Sequence, residues 1–490
     1  MVPEDIRKVP RPGNSVVIDT GHVGMKRYEV KARKAVRYVK GGNPQPVNGS
    51  VIGYIFDGKF ISRRKKAEGV EIKSFGGSQL VWMLSKDVFH DLSAVYDIGQ
   101  ASQIYAIAAL RVLRKHIPDR RLATAYSSSW ISELLPNVAL SESTVSKLIK
   151  DLGNNYSRIV GFMQRRVKSL EKNHHVAIDG TLKQDSSTVN DLSEYSYKAR
   201  KKGIREISVL YAYDIEKREP ICSKVFPGNM IDATSYDAFI KENGIESGLL
   251  VDDKDFPPSR IKEVLAANKG LGFLTPLKRN AKAIAENSMY VFDSVIETAF
   301  GNIPCKKCTL KKDLFLYSFR EGWTASKEES DYLKRHVDGF DKDDFRKKSS
   351  AFGTIVLESN CDLDLKTAYD CYDSRWLIEL VFRYYKNSLD LDQTREQNNS
   401  SVIGSEFINF VSSLITMRLV NRFSKTEKLD GESFGDILDD LNSVQKIKVK
   451  DDWEYAKMNP RMEDILDVLQ IKNKPVVVTK KRGRPKKQDV

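Results

Sequence analysis

From Tyr372 to Lys386 the chain reads Tyr-Asp-Ser-Arg-Trp-Leu-Ile-Glu-Leu-Val-Phe-Arg-Tyr-Tyr-Lys. On a helix turning by about 100° per residue, Arg375 falls at about −60° from Tyr372, Glu379 at about −20° and Lys386 at about −40°. Those four polar residues therefore share one narrow stripe, while Ile378, Val381 and Tyr385 point elsewhere and can pack. Two readings are open. One is an amphipathic helix whose solvated face carries both signs of charge. The other is a face that holds a metal ion and a phosphate chain together, with one carboxylate between two cations and a phenol.

The spacing Y-x2-R-x3-E-x6-K, formed by Tyr372, Arg375, Glu379 and Lys386, resembles the signature of bacterial insertion-sequence transposases of the DDE class, in the IS four-like group. The resemblance implies an α/β fold with an RNase H-like catalytic core, a mixed sheet with helices on both faces. It makes Glu379 the third metal-binding carboxylate and implies two Asp residues upstream.

A first candidate is Asp179. His175-Val-Ala-Ile178 is a short apolar run read as a strand ending in Asp179-Gly180. A strand fixes a carboxylate, and a glycine beside it lets a phosphate approach. Ile207–Tyr213 and Ile221–Phe226 alternate like antiparallel neighbours. Pro227-Gly228-Asn229 then turns toward a helix capped by Asp232 or Thr234, and this stretch again resembles the family. The strand Gly248–Val251 leads into Asp252-Asp253-Lys254-Asp255-Phe256. Aligning on Phe256 makes Asp253 the second catalytic residue, with Asp252 as the fallback, because Asp255 stands where the family has glycine. Gly272–Leu277 forms the next strand, and Lys278 and Arg279 come directly after it, placed to meet DNA.

The distance along the chain from Asp253 to Glu379 is too long for a bare core, so residues 281–352 are read as an insertion. It is basic and has β-like runs such as Leu314–Phe319, and the resemblance implies that it is mainly β. Its Trp323 either stacks on an unpaired base near the cleavage point or packs within a hairpin. Gly353–Leu357 is the strand returning to the core, and Phe407–Val420 a buried partner helix.

The flanks divide by pattern. Residues 1–75 read as a basic β-rich module, with a hairpin turning at Asp57-Gly58. Residues 76–172 read as a helical DNA-binding domain. There Ser141 is a good N-cap, and the helix after it resembles a recognition helix or belongs to an ordinary helical hairpin. The core takes residues 173–280 and 353–425, a helical region 426–474, and a basic tail 475–490. That tail contains Arg482-Gly483-Arg484-Pro485, the core of an AT-hook that sets two arginines in the minor groove.

Composition narrows the partner. A net charge of +14 on 490 residues favours a polyanion. No apolar run stands out near the length a membrane helix needs, and no signal peptide is apparent, so a cytoplasmic, nucleoid-associated protein with no membrane partner is expected. Five cysteines make no disulfide framework. Cys305-x2-Cys308 lacks two further zinc ligands at a recognisable spacing and reads as two thiols near a turn. The six histidines make no ligand cluster in sequence.

Asp179, Asp253 and Glu379, all hard oxygen donors, would hold two Mg²⁺ ions, with Mn²⁺ as a substitute. Tyr372, Arg375 and Lys386 would hold DNA phosphate. The expected activity is cleavage at the element's terminal inverted repeats and joining of the 3′ ends to target DNA, by a homodimer. A nuclease without strand transfer and a decayed DNA-binding regulator are the alternatives.

Overall fold

The computed structural model describes residues 2–37, 45–63, 70–171, 174–185, 187–195, 203–230, 233–251, 270–298, 301–389, 391–394, 396–429, 431–449 and 451–471. The chain forms two compact units. One holds Met1–Glu71 and Lys448–Asp452; the other begins at Ile72 and holds the rest.

In the first unit a short helix, α1 (Glu4–Lys8), precedes an antiparallel sheet in the order β1 (Ser15–Asp19), β2 (Tyr28–Arg37), β3 (Gln45–Phe56), β4 (Lys59–Ser62). Val9, Val17, Val30 and Ile55 form its small core. Asp57 and Gly58 have φ of 51° and 66°. That is the pair of left-handed residues a two-residue hairpin needs, so the expected turn is present. Arg33, Lys34 and Arg63 are exposed.

β5 (Val70–Ser74), which enters the second unit at Ile72, leads to six α-helices: α2 (Gly76–Ser93), α3 (Ile98–Leu113), α4 (Leu122–Ser127), α5 (Ile131–Leu134), α6 (Glu142–Asn154) and α7 (Tyr156–Lys168). Ser141 caps α6, its hydroxyl accepting from the Thr144 amide at 3.3 Å. The apolar stripe of α6, Val145, Leu148, Ile149 and Leu152, is buried, and α6 packs on the helix Asn399–Ser424. We call the latter the central helix, because α2, α3, α6 and β9 all pack against it. Two glycines set its approach to α6. A Cβ on Gly404 would lie 1.9 Å from the Ile149 carbonyl oxygen, and one on Gly153 would lie 1.8 Å from that of Ser400.

The central helix is also a correction. By length and composition it is apolar enough to cross a membrane, yet 89% of its most apolar window is buried inside the protein. What changes is only the expectation about membrane-length apolar runs; the buried helix expected over Phe407–Val420 lies within it.

The sheet comes next: β6 (His175–Asp185), β7 (Glu194–Tyr195), β8 (Arg205–Asp214), β9 (Glu219–Pro227), helix α8 (Ala233–Asn243), β10 (Gly248–Val251), β11 (Leu271–Pro276), β12 (Ser294–Thr298), β13 (Gly301–Lys311), β14 (Leu314–Arg320), β15 (Thr354–Ser359) and β16 (Gln393–Thr394). Its spatial order is β12-β13-β14-β15-β11-β10-β6-β8-β7, with β9 also on β8 and β16 also on β6. β8 is antiparallel to β6 and β9, whereas β10 is parallel to β6 and β11. Nearly every residue of β8 is buried; since successive side chains alternate sides, both faces of the sheet are covered. The fold is therefore mixed α/β with one large mixed sheet.

One expectation changes here. The 281–352 segment is not mainly β. Its strands β12, β13 and β14 extend the core sheet through β15, but helices Lys282–Glu286, Gly322–Arg335 and Lys342–Ser349 make up as much of it. Local charge explains the last of these: Asp341 caps its N-terminus and Asp344 pairs with Lys348 one turn on at 2.8 Å. Of the two expected caps of α8, Thr234 lies inside the helix, and Asp232 is outside the described residues.

Gly404→Ala is expected to destabilise the protein by about 1–3 kcal/mol, the usual cost of overpacking. Gly161→Ala, on α7 with nothing nearer than Val95 at 4.0 Å, should stabilise it by about 0.5–1 kcal/mol. Denaturant unfolding of the two variants checks both signs.

Candidate active site on the Asp179 face of the sheet

Asp179 does not end its strand. β6 runs on to Asp185, because Gly180 does not interrupt the pairing: a Cβ there would sit 2.6 Å from a Leu210 methyl, so the glycine leaves room for that cross-strand side chain. Asp179 is half-buried, and its Oδ1 accepts from the Gly180 amide at 2.7 Å. Directly across on β8 stands Tyr211. Cross-strand partners share a face, so the Tyr211 ring marks the side on which Asp179 lies.

That side is covered by the signature segment. The Tyr211 ring meets Phe382 at 5.5 Å, Tyr385 at 6.4 Å and Phe410 of the central helix at 5.8 Å. Phe382 belongs to the helix Trp376–Arg383, which carries Glu379 and packs on β6. Positions three apart are neighbours on a helix surface, so Glu379 borders the Phe382 contact. Its side chain keeps 59% of its exposure, consistent with a carboxylate at the rim and not in the core.

The signature is not one helix. Tyr372 sits on Leu365–Asp373, which packs on β12, β13 and β14. Ser374 and Arg375 form the joint, with short bonds such as Arg375 N to Tyr372 O at 3.1 Å. Glu379 comes after it on Trp376–Arg383, and Lys386 lies in a π-helical turn, Tyr384–Ser388. A uniform 100° stripe therefore does not describe all four residues. What survives is a local stack: the Arg375 guanidinium lies 5.6 Å from the Tyr372 ring centre and 3.5 Å from the Glu379 carboxylate. Lys386 is half-buried about two turns beyond. Beside Tyr372, burial and the Glu321 and Asp370 carboxylates push Asp373 above the usual carboxylate range.

The last described residue of β10, Val251, pairs with Ala177, two residues before Asp179. Asp252 and Asp253, the candidates for the second acid, lie outside the described residues, as do Arg482 and Arg484 of the tail. Lys278 is exposed beyond β11. Arg279 instead holds both oxygens of Glu328 at 2.8 Å. Trp323 is on the first turn of Gly322–Arg335 and 84% exposed. That excludes the alternative in which it packs within a hairpin.

Other side chains could in principle bind a metal. Cys305 and Cys308 lie within β13, not near a turn, and an offset of three puts them on opposite faces. They cannot chelate one ion together. His174, Asp214 and Glu216, by contrast, do converge, with donor atoms within 4.8 Å of one another. The histidine spacing in sequence does not reveal this group, because the β6–β8 pairing brings together residues some forty positions apart. Its donors are already engaged: His174 Nδ1 with Asp214 at 2.8 Å, the His175 amide with Glu216 at 2.8 Å, the Lys217 amide with Asp214 at 2.9 Å. Burial opposes the Glu216 charge, but its bonds from His175 win and hold its pKa below the usual range. Asp214 pairs with Val176, so this group lies on the other face from Asp179.

Trp323→Ala should leave stability within about 0.5 kcal/mol of the parent, as surface changes do. A clear drop in the thermal midpoint would show that the ring packs.

Residues 171–402 match the family described as "Transposase DDE domain". No curated protein matches the chain. Among solved structures the chain is similar to the piggyBac transposase synaptic complex with hairpin DNA. The identity is 12%, the coverage 75% of this chain and 76% of that one, and the TM-score 0.39. The matched segment spans Asp179, Asp253, Glu379 and Lys386.

Proposed function

We propose that the chain is a DNA transposase of the IS four-like group with an RNase H-like core. It binds the terminal inverted repeats of its own element, cleaves at the ends and joins the 3′ ends to target DNA. The observation that carries this is the shared side of Asp179 and the Glu379 helix, bridged by the Tyr211–Phe382 contact. Asp179 and the helix that carries Glu379, from widely separated parts of the chain, lie on one side of the sheet.

Asp179 and Glu379 fit a divalent ion: hard oxygen donors, one half-buried on a strand, the other at the rim and open to solvent. Asp253 is the proposed third ligand. Two Mg²⁺ ions there would supply activation of the attacking water or 3′-hydroxyl and charge stabilisation of the leaving 3′-oxygen. The chain's own groups do the rest. Arg375 keeps the Glu379 carboxylate turned toward the rim and, with Tyr372 and Lys386, meets phosphate. Lys278 and Trp323 contact DNA from the end of β11 and from the insertion, and the tail arginines Arg482 and Arg484 add minor-groove affinity. Two ends need two active sites, so the working form is a homodimer on nucleoid DNA.

Asp179→Asn and Glu379→Gln should each lower cleavage of a labelled terminal repeat by at least about 10³-fold, while gel-shift affinity changes less than about threefold. EDTA should stop the parent, and Mg²⁺ or Mn²⁺ should restore it. Joined products in the presence of a target plasmid support transposition; cut ends alone favour the nuclease reading. Undiminished cleavage by Asp179→Asn would end the proposal.

A further inference from the structure

Lys183, Tyr385 and Glu406 form a closed polar triangle in the core. The Lys183 ammonium donates to Glu406 Oε1 at 2.6 Å and to the Tyr385 hydroxyl at 3.2 Å, and that hydroxyl donates to the other Glu406 oxygen. The ammonium also lies 5.4 Å from the Tyr385 ring centre. Lys183 and Glu406 are each only 2% exposed. Asn409 donates to Glu406 at 3.0 Å and accepts from Arg111 at 2.8 Å, so the carboxylate is fully used. Burial, together with the Glu406 charge, holds the Tyr385 phenol protonated.

Such a pair is a poor way to gain stability. Desolvating two ions takes back most of the attraction, and apolar side chains of similar size usually serve as well. What the triangle does provide is fixed geometry between three elements. Lys183 is four residues beyond Asp179 on β6, and so on the same face. Tyr385 is in the π-turn, immediately before Lys386 and continuous with the Glu379 helix. Glu406 is on the central helix. π-turns are uncommon and concentrate at functional sites, since the wider turn rotates the residues beyond it.

We propose that the Lys183–Tyr385–Glu406 triangle is a positioning device that sets the rotation of the signature segment against the Asp179 strand, and with it the alignment of Glu379 and Lys386. This rests on the reading of Asp179 and Glu379 as metal ligands. None of the three touches DNA or metal; they act through the backbone that carries those that do. Site groups must be held within about 0.5 Å to stay productive, and an ångström of displacement costs on the order of 10²-fold.

The test uses the full chain carrying Lys183→Met together with Glu406→Leu, which leaves no unpaired buried charge. Its thermal midpoint and its affinity for the terminal repeat should stay near the parent's. Its Mn²⁺ affinity, read by electron paramagnetic resonance without turnover, should fall at least about tenfold, and single-turnover cleavage by about 10–100-fold. Parental Mn²⁺ affinity and cleavage in a folded double variant would overturn the inference. Should the double variant fail to fold, Tyr385→Phe removes only the hydroxyl. A threefold or greater loss of both readouts then supports the triangle, and parental values overturn it. Asp179→Asn runs alongside: if it still cleaves, the metal-site reading falls and takes this inference with it. If it is dead while the double variant behaves as the parent, only the triangle is refuted.

Discussion

The second unit depends on burying one helix. The central helix, Asn399–Ser424, is surrounded by α2, α3 and α6 and by strand β9. A helix enclosed on all sides must satisfy every polar atom it carries. It does so with short side chains turned back on its own turns: Ser412 donates to the Ile408 carbonyl at 3.0 Å, Thr416 to that of Ser412 at 2.9 Å, Ser413 to that of Asn409 at 2.9 Å. At its far end Arg418 holds Glu219 of β9 at 2.7 Å and bonds Asp87 of α2 through both terminal nitrogens. Arg166 of α7 bonds the same Glu219 at 2.7 Å. The helical segment and the sheet are thus cross-linked through one axis.

The sheet register decides which side chains share the face of the candidate site. A strand paired out of step by one residue would turn every side chain to the other face. The β6–β8 register extends from Val176 to Gln184 without interruption, and it fixes which side Asp179, Tyr211 and Lys183 share. The same register sends Asp214 to the opposite side. That is why the His174 group, although its donors converge, is separate from the site.

Much of this was legible in the sequence where local chemistry decides. The Asp57-Gly58 hairpin, the Ser141 cap, the antiparallel β8–β9 pair and the strands β11 and β15 each arise from turn residues, caps or alternation over a few positions. What sequence did not reveal depends on partners far along the chain. Asp179 reads as a strand end because glycine usually breaks strands; only Leu210 across the sheet shows why the strand continues. Nothing near Lys183 in sequence points to its buried partner, Glu406. The stripe of Tyr372, Arg375, Glu379 and Lys386 assumes an unbroken helix, and nothing local announces the joint at Ser374 or the π-turn after Arg383.

That broken helix is better suited to a site than a straight one. Each piece answers to a different support: Tyr372 to the insertion strands, Glu379 to β6, Lys386 to the turn held by the central helix. A rigid rod would transmit any tilt at one end to all four residues together. With a joint at Ser374-Arg375, the two pieces are supported separately, the Tyr372 helix by the insertion strands and the Glu379 helix by β6. Arg375 lies at that joint, against Tyr372 on one side and Glu379 on the other. An arginine suits the place, since its flat guanidinium can keep a ring contact and an ion pair at the same time.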